Sequence, residues 1–188
     1  MRWHGNRPAP APDAAPPLSV FELCDRIRAT PKPTIALVQG ACFGGGTGLV
    51  AACDVAIAAD NANFSIAEVR WGLTAAIIIP QLSDAIGIRQ MRRYALTGER
   101  FGADEARRIG LVHEVVPLAE LAAAGERMVG HILENGPEAI ARTKALTLES
   151  AFGDLSEMAL ADLIEDHAAK RQSAEAAEGL ASFVEKRA

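Results

Sequence analysis

Cysteines and aromatic side chains are scarce in this sequence. Three cysteines occur in 188 residues, and Phe, Trp and Tyr together make up 5%. No Cys-x-x-Cys pair and no Cys/His cluster at metal-ligand spacing is present. A small, odd number of cysteines argues against a disulfide framework and is typical of reduced thiols in a cytosol-like compartment. We therefore predict a cytoplasmic protein without a metal site.

Long apolar runs and dense runs of positive charge are missing as well. The longest mostly apolar stretch, residues 41–59, is interrupted by four glycines and by Asp54, which makes it a poor membrane span. The formal net charge is −5, and no Lys/Arg run reaches the density of a nucleic-acid-binding stripe. We expect neither a membrane nor a nucleic acid as a partner.

Composition and periodicity divide the chain into three predicted parts. Residues 1–17 are rich in proline and predict a flexible tail. Residues 18–117 alternate helical periodicity with short β-branched runs, which predicts an α/β core with a small, mostly parallel sheet. Residues 118–188 show helical patterns only and predict an all-helical C-terminal subdomain.

Along residues 18–188, local signals predict individual elements. Ser19 and Glu22 form a capping-box pattern that begins a helix, and Pro137 after Gly136 suits the first position of another. Strands are predicted at 34–38, 55–59, 64–66 and 111–116. Helices are predicted at 47–53, 77–86, 88–96, 104–109, 118–134, 137–150, 155–171 and 173–186.

A glycine-rich turn between the first strand and the short helix has three possible interpretations. Glycines let a backbone approach a ligand, and a helix N-terminus offers unpaired N–H groups to an anion. A P-loop would need a lysine where Gly46 stands. A dinucleotide-binding turn, with Asp60 as ribose ligand, would need a third glycine where Leu49 stands, and a longer helix. An oxyanion hole needs neither a lysine nor a long helix.

The segment around this turn resembles a pattern of the crotonase (enoyl-CoA hydratase/isomerase) superfamily, K-P-x-I-A-x-V-x-G-x-x-x-G-G-G. Residues 32–46 carry the pattern, and the resemblance extends over about residues 18–188. Further matches follow in order at Cys53-Asp54, Glu68, Gly72, residues 96–98, 110–112, 115–117 and 183–187. The resemblance implies a partial crotonase (ClpP-like) fold. Residues 65–73 look most like methylglutaconyl-CoA-hydratase-type members.

This resemblance implies an enzyme that processes an acyl-CoA thioester through an enolate stabilised at the thioester carbonyl. The Gly45 N–H would be an oxyanion donor, and Gly44 and Gly46 would shape the turn beside the substrate. The expected ligand is the acyl-CoA itself, with CoA as part of the substrate and no separate cofactor. Trp71 is a further expected substrate contact.

The acid/base chemistry would rest on one carboxylate. Family hydratases often place one glutamate two residues after the glycine triplet and a second one twenty residues later. This sequence has Gly48, which we assign to the substrate site, at the first place and Glu68 at the second. A single glutamate suits either hydration of an enoyl double bond or its isomerisation.

The sequence departs from the family pattern in having no F-x-A-G-x-D segment, which supplies the second oxyanion N–H in the family. The strands that accompany it are also missing, so we expect an uncovered sheet edge and exposed apolar surface. Assembly into a homo-oligomer, a trimer or hexamer as in the family, is expected. The alternative to an enzyme is a non-catalytic acyl-CoA-binding or assembly subunit.

Overall fold

A computed structural model describes residues 19–152, 165, 168–169 and 172–185 of the chain. The predicted tail (1–17) and most of the helix predicted at 155–171 lie outside these residues. The helices are α1 (Val20–Ala29), α2 (Gly45–Ala52), α3 (Ile79–Thr97), α4 (Ala103–Arg108), α5 (Leu121–Leu133), α6 (Pro137–Phe152) and α7 (Ala174–Glu185). The strands are β1 (Ile35–Val38), β2 (Ala41–Phe43), β3 (Val55–Ala59), β4 (Asn63–Ser65), β5 (Phe101–Gly102) and β6 (Glu114–Val116).

The six strands form two small sheets. The first, sheet A, has the order β1-β3-β6 and is parallel throughout, with Ile35 opposite Val55. The second, sheet B, has the order β2-β4-β5, in which β2 and β4 are parallel and β5 is antiparallel. The predicted α/β class with a mostly parallel sheet is confirmed. The strands β2 and β5 were missed because two or three residues are too few to show a periodicity.

Local signals fix several helix ends. The Ser19 hydroxyl accepts a hydrogen bond from the Glu22 N–H, and the Glu22 carboxylate accepts one from the Ser19 N–H, so the predicted capping box is present. Pro137 begins α6 as predicted. Two helices predicted at 77–86 and 88–96 are the two halves of α3, which is interrupted at Gly87, where φ is +73°. A φ in this region favours glycine because other residues have a Cβ that clashes there.

The two faces of sheet A pack against different partners. Ala36 and Val38 point into a large apolar cluster that also contains residues of α2, α3 and α4. The opposite face meets α5 in a smaller cluster, whose buried members are Ile57, Ala59, Val116, Leu121 and Ala124. The larger cluster is the main core of the described chain, and it is the one that supports the glycine turn.

Lys144 ties α6 to the core. Its side chain is only 8% exposed, and its Nζ donates to Asp54 Oδ2 at 2.7 Å and to the carbonyls of Ile27 and Lys32 at 3.2 and 3.1 Å. Asp54 also accepts hydrogen bonds from the N–H and hydroxyl of Thr34. The buried cation is fully paired, as buried charges must be. Across the described segments, no helix has the length and apolar character needed to cross a bilayer.

Candidate functional site

The glycine turn joins the end of β2 to the start of α2. Gly44 lies at the helix N-cap with φ 54° and ψ −126°, and its N–H donates to the Ser65 carbonyl at 2.9 Å. The Gly44 carbonyl accepts from both the N–H and the hydroxyl of Thr47, at 2.9 and 2.6 Å. These bonds hold the turn to β4 and begin the helix.

The next two residues present backbone donors. Gly45 and Gly46 form the first turn of α2, whose N–H groups have no partner within the helix. Neither N–H makes a hydrogen bond to any residue that the structure describes. A Cβ on Gly45 would lie 3.3 Å from Val20, so α1 covers this glycine closely. The arrangement can stabilise a negative oxygen through unpaired donors and the positive end of the helix dipole.

Glu68 reaches the same turn from another part of the chain. It opens a short 3-10 turn, Glu68–Trp71, three residues after β4 ends at Ser65. A Cβ on Gly44 would lie 3.0 Å from Glu68 Oε1, so the carboxylate rests against the glycine turn. Glu68 Oε2 is buried and has no hydrogen-bond partner in the described chain. A buried, unpartnered carboxylate oxygen costs stability, and such groups are concentrated at functional sites.

Gly48 occupies a closely packed position. A Cβ there would lie 2.2 Å from Ile78 Cγ2 and 2.7 Å from Ile78 Cβ, and Ile78 is 1% exposed. The residue therefore faces the packed junction between α2 and the turn before α3. A side chain at this position would enter that junction, and the assignment of Gly48 to the substrate site stays a prediction. No side chain, and so no second carboxylate, fits at this position.

Ile78 leaves no room for a second carboxylate at position 48, and the sequence alone did not predict this contact. The sequence offers two separate facts, a glycine at position 48 where the family often has a glutamate, and an isoleucine at position 78. Nothing local connects two residues thirty positions apart, because only the packing of α2 against the start of α3 brings them together.

Trp71 ends the 3-10 turn and is 79% exposed. Leu73 and Ile77 follow it and are also exposed, so this part of the chain presents an apolar surface. The structure does not bring Trp71 to the glycine turn by any described contact, and its role at the substrate stays a prediction. Arg70 turns away from the site, since its Nε donates to the Gly98 carbonyl at 2.8 Å.

Cys42 and His113 are two other potentially reactive side chains, and the surroundings of each indicate a structural role. Burial raises the pKa of the Cys42 thiol to about 11, so this cysteine is a thiol at neutral pH and a poor nucleophile. His113 Nδ1 accepts a hydrogen bond from the Ala56 N–H at 3.1 Å, which uses it to join the loop before β6 to β3. Glu68 is thus the carboxylate that the structure brings against the glycine turn.

Comparison with known proteins decides the family. The model of the enoyl-CoA hydratase/isomerase family matches residues 4–188, which is nearly the whole chain. This chain belongs to the crotonase superfamily. The match begins fourteen residues before the resemblance that the motifs alone supported, which started at about residue 18.

Individual relatives of this crotonase chain support the same family assignment. It is 40% identical over 119 residues to the hydroxycinnamoyl-CoA hydratase-lyase of Pseudomonas fluorescens, covering 63% of this chain and 43% of that protein. It is 35% identical over 165 residues to the mitochondrial Delta(3,5)-Delta(2,4)-dienoyl-CoA isomerase of Dictyostelium discoideum, covering 87% and 56%. A crystal structure of an enoyl-CoA hydratase from Shewanella pealeana superposes with a TM-score of 0.84 at 39% identity, covering 89% of this chain and 63% of that one.

These coverages show how much of a family member the chain contains. The crotonase chain spans about half the length of the two curated relatives and 63% of the solved Shewanella pealeana structure. The predicted crotonase fold is confirmed for the described part. The particular likeness to methylglutaconyl-CoA-hydratase-type members remains a prediction.

Proposed function

We propose that this chain hydrates an enoyl-CoA thioester, or moves its double bond, with Glu68 as the acid/base group. The observation that carries the proposal is the Glu68 carboxylate resting against the glycine turn with one oxygen buried and unpartnered. Relatives named as a hydratase-lyase, a dienoyl-CoA isomerase and an enoyl-CoA hydratase support this class of reaction.

In hydration, Glu68 takes a proton from water while the water oxygen bonds to the β-carbon of the enoyl group. The electron pair of the double bond moves toward the thioester carbonyl, whose oxygen becomes the enolate oxygen. The unpaired N–H of Gly45 donates to that oxygen. Protonated Glu68 then gives its proton to the α-carbon, which yields the 3-hydroxyacyl thioester and restores the carboxylate.

In isomerisation the same group acts without water. Glu68 removes a proton from the carbon at one end of the three-carbon unit, and the resulting dienolate is held at the same backbone donor. The proton returns to the carbon at the other end, so the double bond moves and the base is regenerated. Both routes need one carboxylate only. That requirement agrees with the exclusion of a side chain at Gly48 by Ile78.

The proposal needs no cofactor, because the proton carrier and the oxyanion donor belong to the chain and CoA is part of the substrate. We place the protein in the cytoplasm, for which its three free cysteines are the support. We also propose a homo-oligomer, a trimer or hexamer, supported by exposed apolar side chains such as Trp71, Leu73 and Leu96.

The test is the loss of enoyl-thioester absorbance when purified protein is mixed with crotonyl-CoA. Replacing Glu68 by Gln should lower the rate by about 10²–10⁴-fold, because the amide cannot carry the proton. Glu120→Gln, which changes an exposed glutamate at the start of α5, is the matched control and should leave the rate unchanged. Thermal unfolding of both variants would show that the fold is intact.

The alternative is a non-catalytic acyl-CoA-binding subunit, and a specific observation favours it. The chain spans only about half the length of the two curated relatives described above, and a single carboxylate rests against its glycine turn. A folded protein that binds crotonyl-CoA in calorimetry, yet turns over neither 2-enoyl nor 3-enoyl thioesters, would favour this alternative. Full activity in Glu68→Gln would contradict the assigned role of Glu68.

A further inference from the structure

The carbonyl oxygen of Gly98 accepts hydrogen bonds from two side chains. One comes from the Ser65 hydroxyl at 3.0 Å, and the other comes from Arg70 Nε at 2.8 Å. These donors flank Glu68 along the chain, since Ser65 lies three residues before it and Arg70 two residues after it. One acceptor therefore holds the segment that carries Glu68 from both ends.

Gly98 is a firmly held acceptor. It ends α3 with φ +59°, and its N–H donates to the Tyr94 carbonyl at 2.9 Å. Tyr94 is 1% exposed, and its ring centroid lies 4.2 Å from that of Phe101 in the main core. Next to Gly98 in the chain, Glu99 forms an ion pair with Arg93 at 2.9 Å. The acceptor is thus fixed to the core and gives the neighbouring segment a stable point of attachment.

The bond from Ser65 connects this acceptor to the glycine turn. Ser65 is 2% exposed, and its carbonyl accepts the Gly44 N–H at 2.9 Å while its hydroxyl donates to Gly98. The same residue ends β4, whose pairing with β2 fixes its backbone. The position of the glycine turn relative to Gly98 is therefore set by buried, regular structure.

The bond from Arg70 connects the same acceptor to the turn that carries Glu68. This 3-10 turn, Glu68–Trp71, has one half-buried residue, Glu68, and three exposed ones. Among the described residues, the bond from Arg70 to Gly98 is the one side-chain hydrogen bond that joins the turn to another part of the chain. A Cβ on Gly98 would lie 3.0 Å from Arg70 Nε, so the two residues approach closely. The turn therefore depends on Arg70 for its attachment more than the glycine turn does.

We propose that Arg70 is a positioning residue, which holds the Glu68 carboxylate at the glycine turn by tying the 3-10 turn to the Gly98 carbonyl. The inference rests on the acid/base role proposed for Glu68. Arg70 lies two positions from Glu68 in the same tight turn, so a displacement of one residue displaces the other. A guanidinium suits this task, because it keeps its charge and a charged donor makes a stronger hydrogen bond than a neutral one.

Loss of this bond should slow the chemical step more than it weakens substrate binding. A misplacement of about 1 Å in a reacting group can lower a rate about 100-fold. The oxyanion donor would stay in place, because Ser65 and Thr47 hold the glycine turn without Arg70. We therefore expect kcat to fall and KM to change little.

The first test is the steady-state kinetics of Arg70→Met and Arg70→Lys with a 2-enoyl and a 3-enoyl thioester. Arg70→Met should lower kcat about 10- to 100-fold, with KM within about threefold of the wild type. Arg70→Lys should recover most of the loss, because an ammonium group can donate to the same carbonyl. Arg89→Met, which changes an exposed arginine of α3, is the matched control and should have no effect. Melting temperatures show whether each variant is folded.

A second test does not depend on turnover. Hydrogen–deuterium exchange, followed by NMR, reports on the Leu73 N–H, which closes the 3-10 turn by donating to the Glu68 carbonyl at 3.1 Å. Arg70→Met should speed the exchange of this amide about 10-fold, since the turn opens more often when it loses its attachment. In Arg89→Met the amide should exchange as in the wild type.

Three results would overturn the proposal. One is a wild-type kcat in Arg70→Met, and another is a kcat that falls equally in Arg70→Met and Arg70→Lys. The third is an unchanged exchange rate of the Leu73 amide in Arg70→Met, whatever the turnover. If the wild type turns over neither thioester and the exchange is nevertheless faster in Arg70→Met, the proposed function fails while the attachment of the turn by Arg70 is supported.

Discussion

The two faces of sheet A differ in how completely they are covered. On one face, Ala36 and Val38 belong to a continuous cluster with α2, α3 and α4, in which Leu82 and Ala106 are fully buried. On the other face, the cluster under α5 is small and ends at the exposed Leu37. The glycine turn and Glu68 are supported from the well-packed face. The geometry of the site therefore depends on the well-packed face and not on the open one.

The largest expected effect comes from truncating a leucine on each face. Leu82→Ala should lower the free energy of unfolding by about 2–5 kcal/mol, because the substitution leaves a cavity that the tightly packed neighbours cannot fill. Leu121→Ala should cost less, since the cluster under α5 is open at one side and can relax. Urea denaturation of both variants measures the difference. Equal losses would show that the two faces are packed equally well.

The next largest effect concerns the packing that excludes a second carboxylate. Gly48→Ala should destabilise the protein by about 1–3 kcal/mol, because the added methyl group would overlap Ile78. Gly130→Ala in α5 is the matched control, since no atom lies within 4 Å of the position of its Cβ. That change should be neutral or stabilising by up to about 1 kcal/mol through helix propensity. Similar effects in the two variants, measured by urea denaturation, would contradict the tight contact at Gly48.

A somewhat smaller loss is expected where α6 joins the packed core. Lys144→Met removes the donor to Asp54 and to two carbonyls, and it should cost about 1–2 kcal/mol as those acceptors lose a partner. Lys32→Met changes an exposed lysine nearby and should have no effect. The melting temperatures of the two variants provide the test. A Lys144→Met variant that melts at the same temperature as the wild type would mean that these bonds of α6 contribute little to stability.

The smallest effect is a pH dependence of stability that comes from Glu105 in α4, a helix of the well-packed face. Hydrogen bonds from Arg108 and Tyr94 lower the pKa of Glu105 from 4.5 to about 2. A carboxylate whose pKa is lower in the folded state stabilises the protein above pH 4.5, and this contribution is lost as the pH falls toward 2. Solvent screening keeps the gain modest. In thermal unfolding, Glu105→Gln should be less stable than the wild type at pH 6, and the gap should narrow at pH 3. A gap that is independent of pH would contradict the assignment.

Much of the fold could be predicted from local signals. The capping box of Ser19 and Glu22, the proline that begins α6 and the apolar run of β3 each act through neighbouring residues, so the sequence pattern is sufficient. The two sheets were not separated by the prediction. Their division depends on β2 and β5, which are too short to carry a pattern and exist because β4 pairs with both.

For the candidate site, the sequence by itself determined the glycine turn and the single glutamate. The turn shows as consecutive glycines between a strand and a helix, and the position of Glu68 follows from the family motif. Only the tertiary structure decided that Glu68 rests against Gly44, that Ile78 fills the space beside Gly48 and that Trp71 is exposed. These are contacts, or their absence, between residues far apart in the chain. They are set by how α2, α3 and the two sheets pack, which no local pattern encodes.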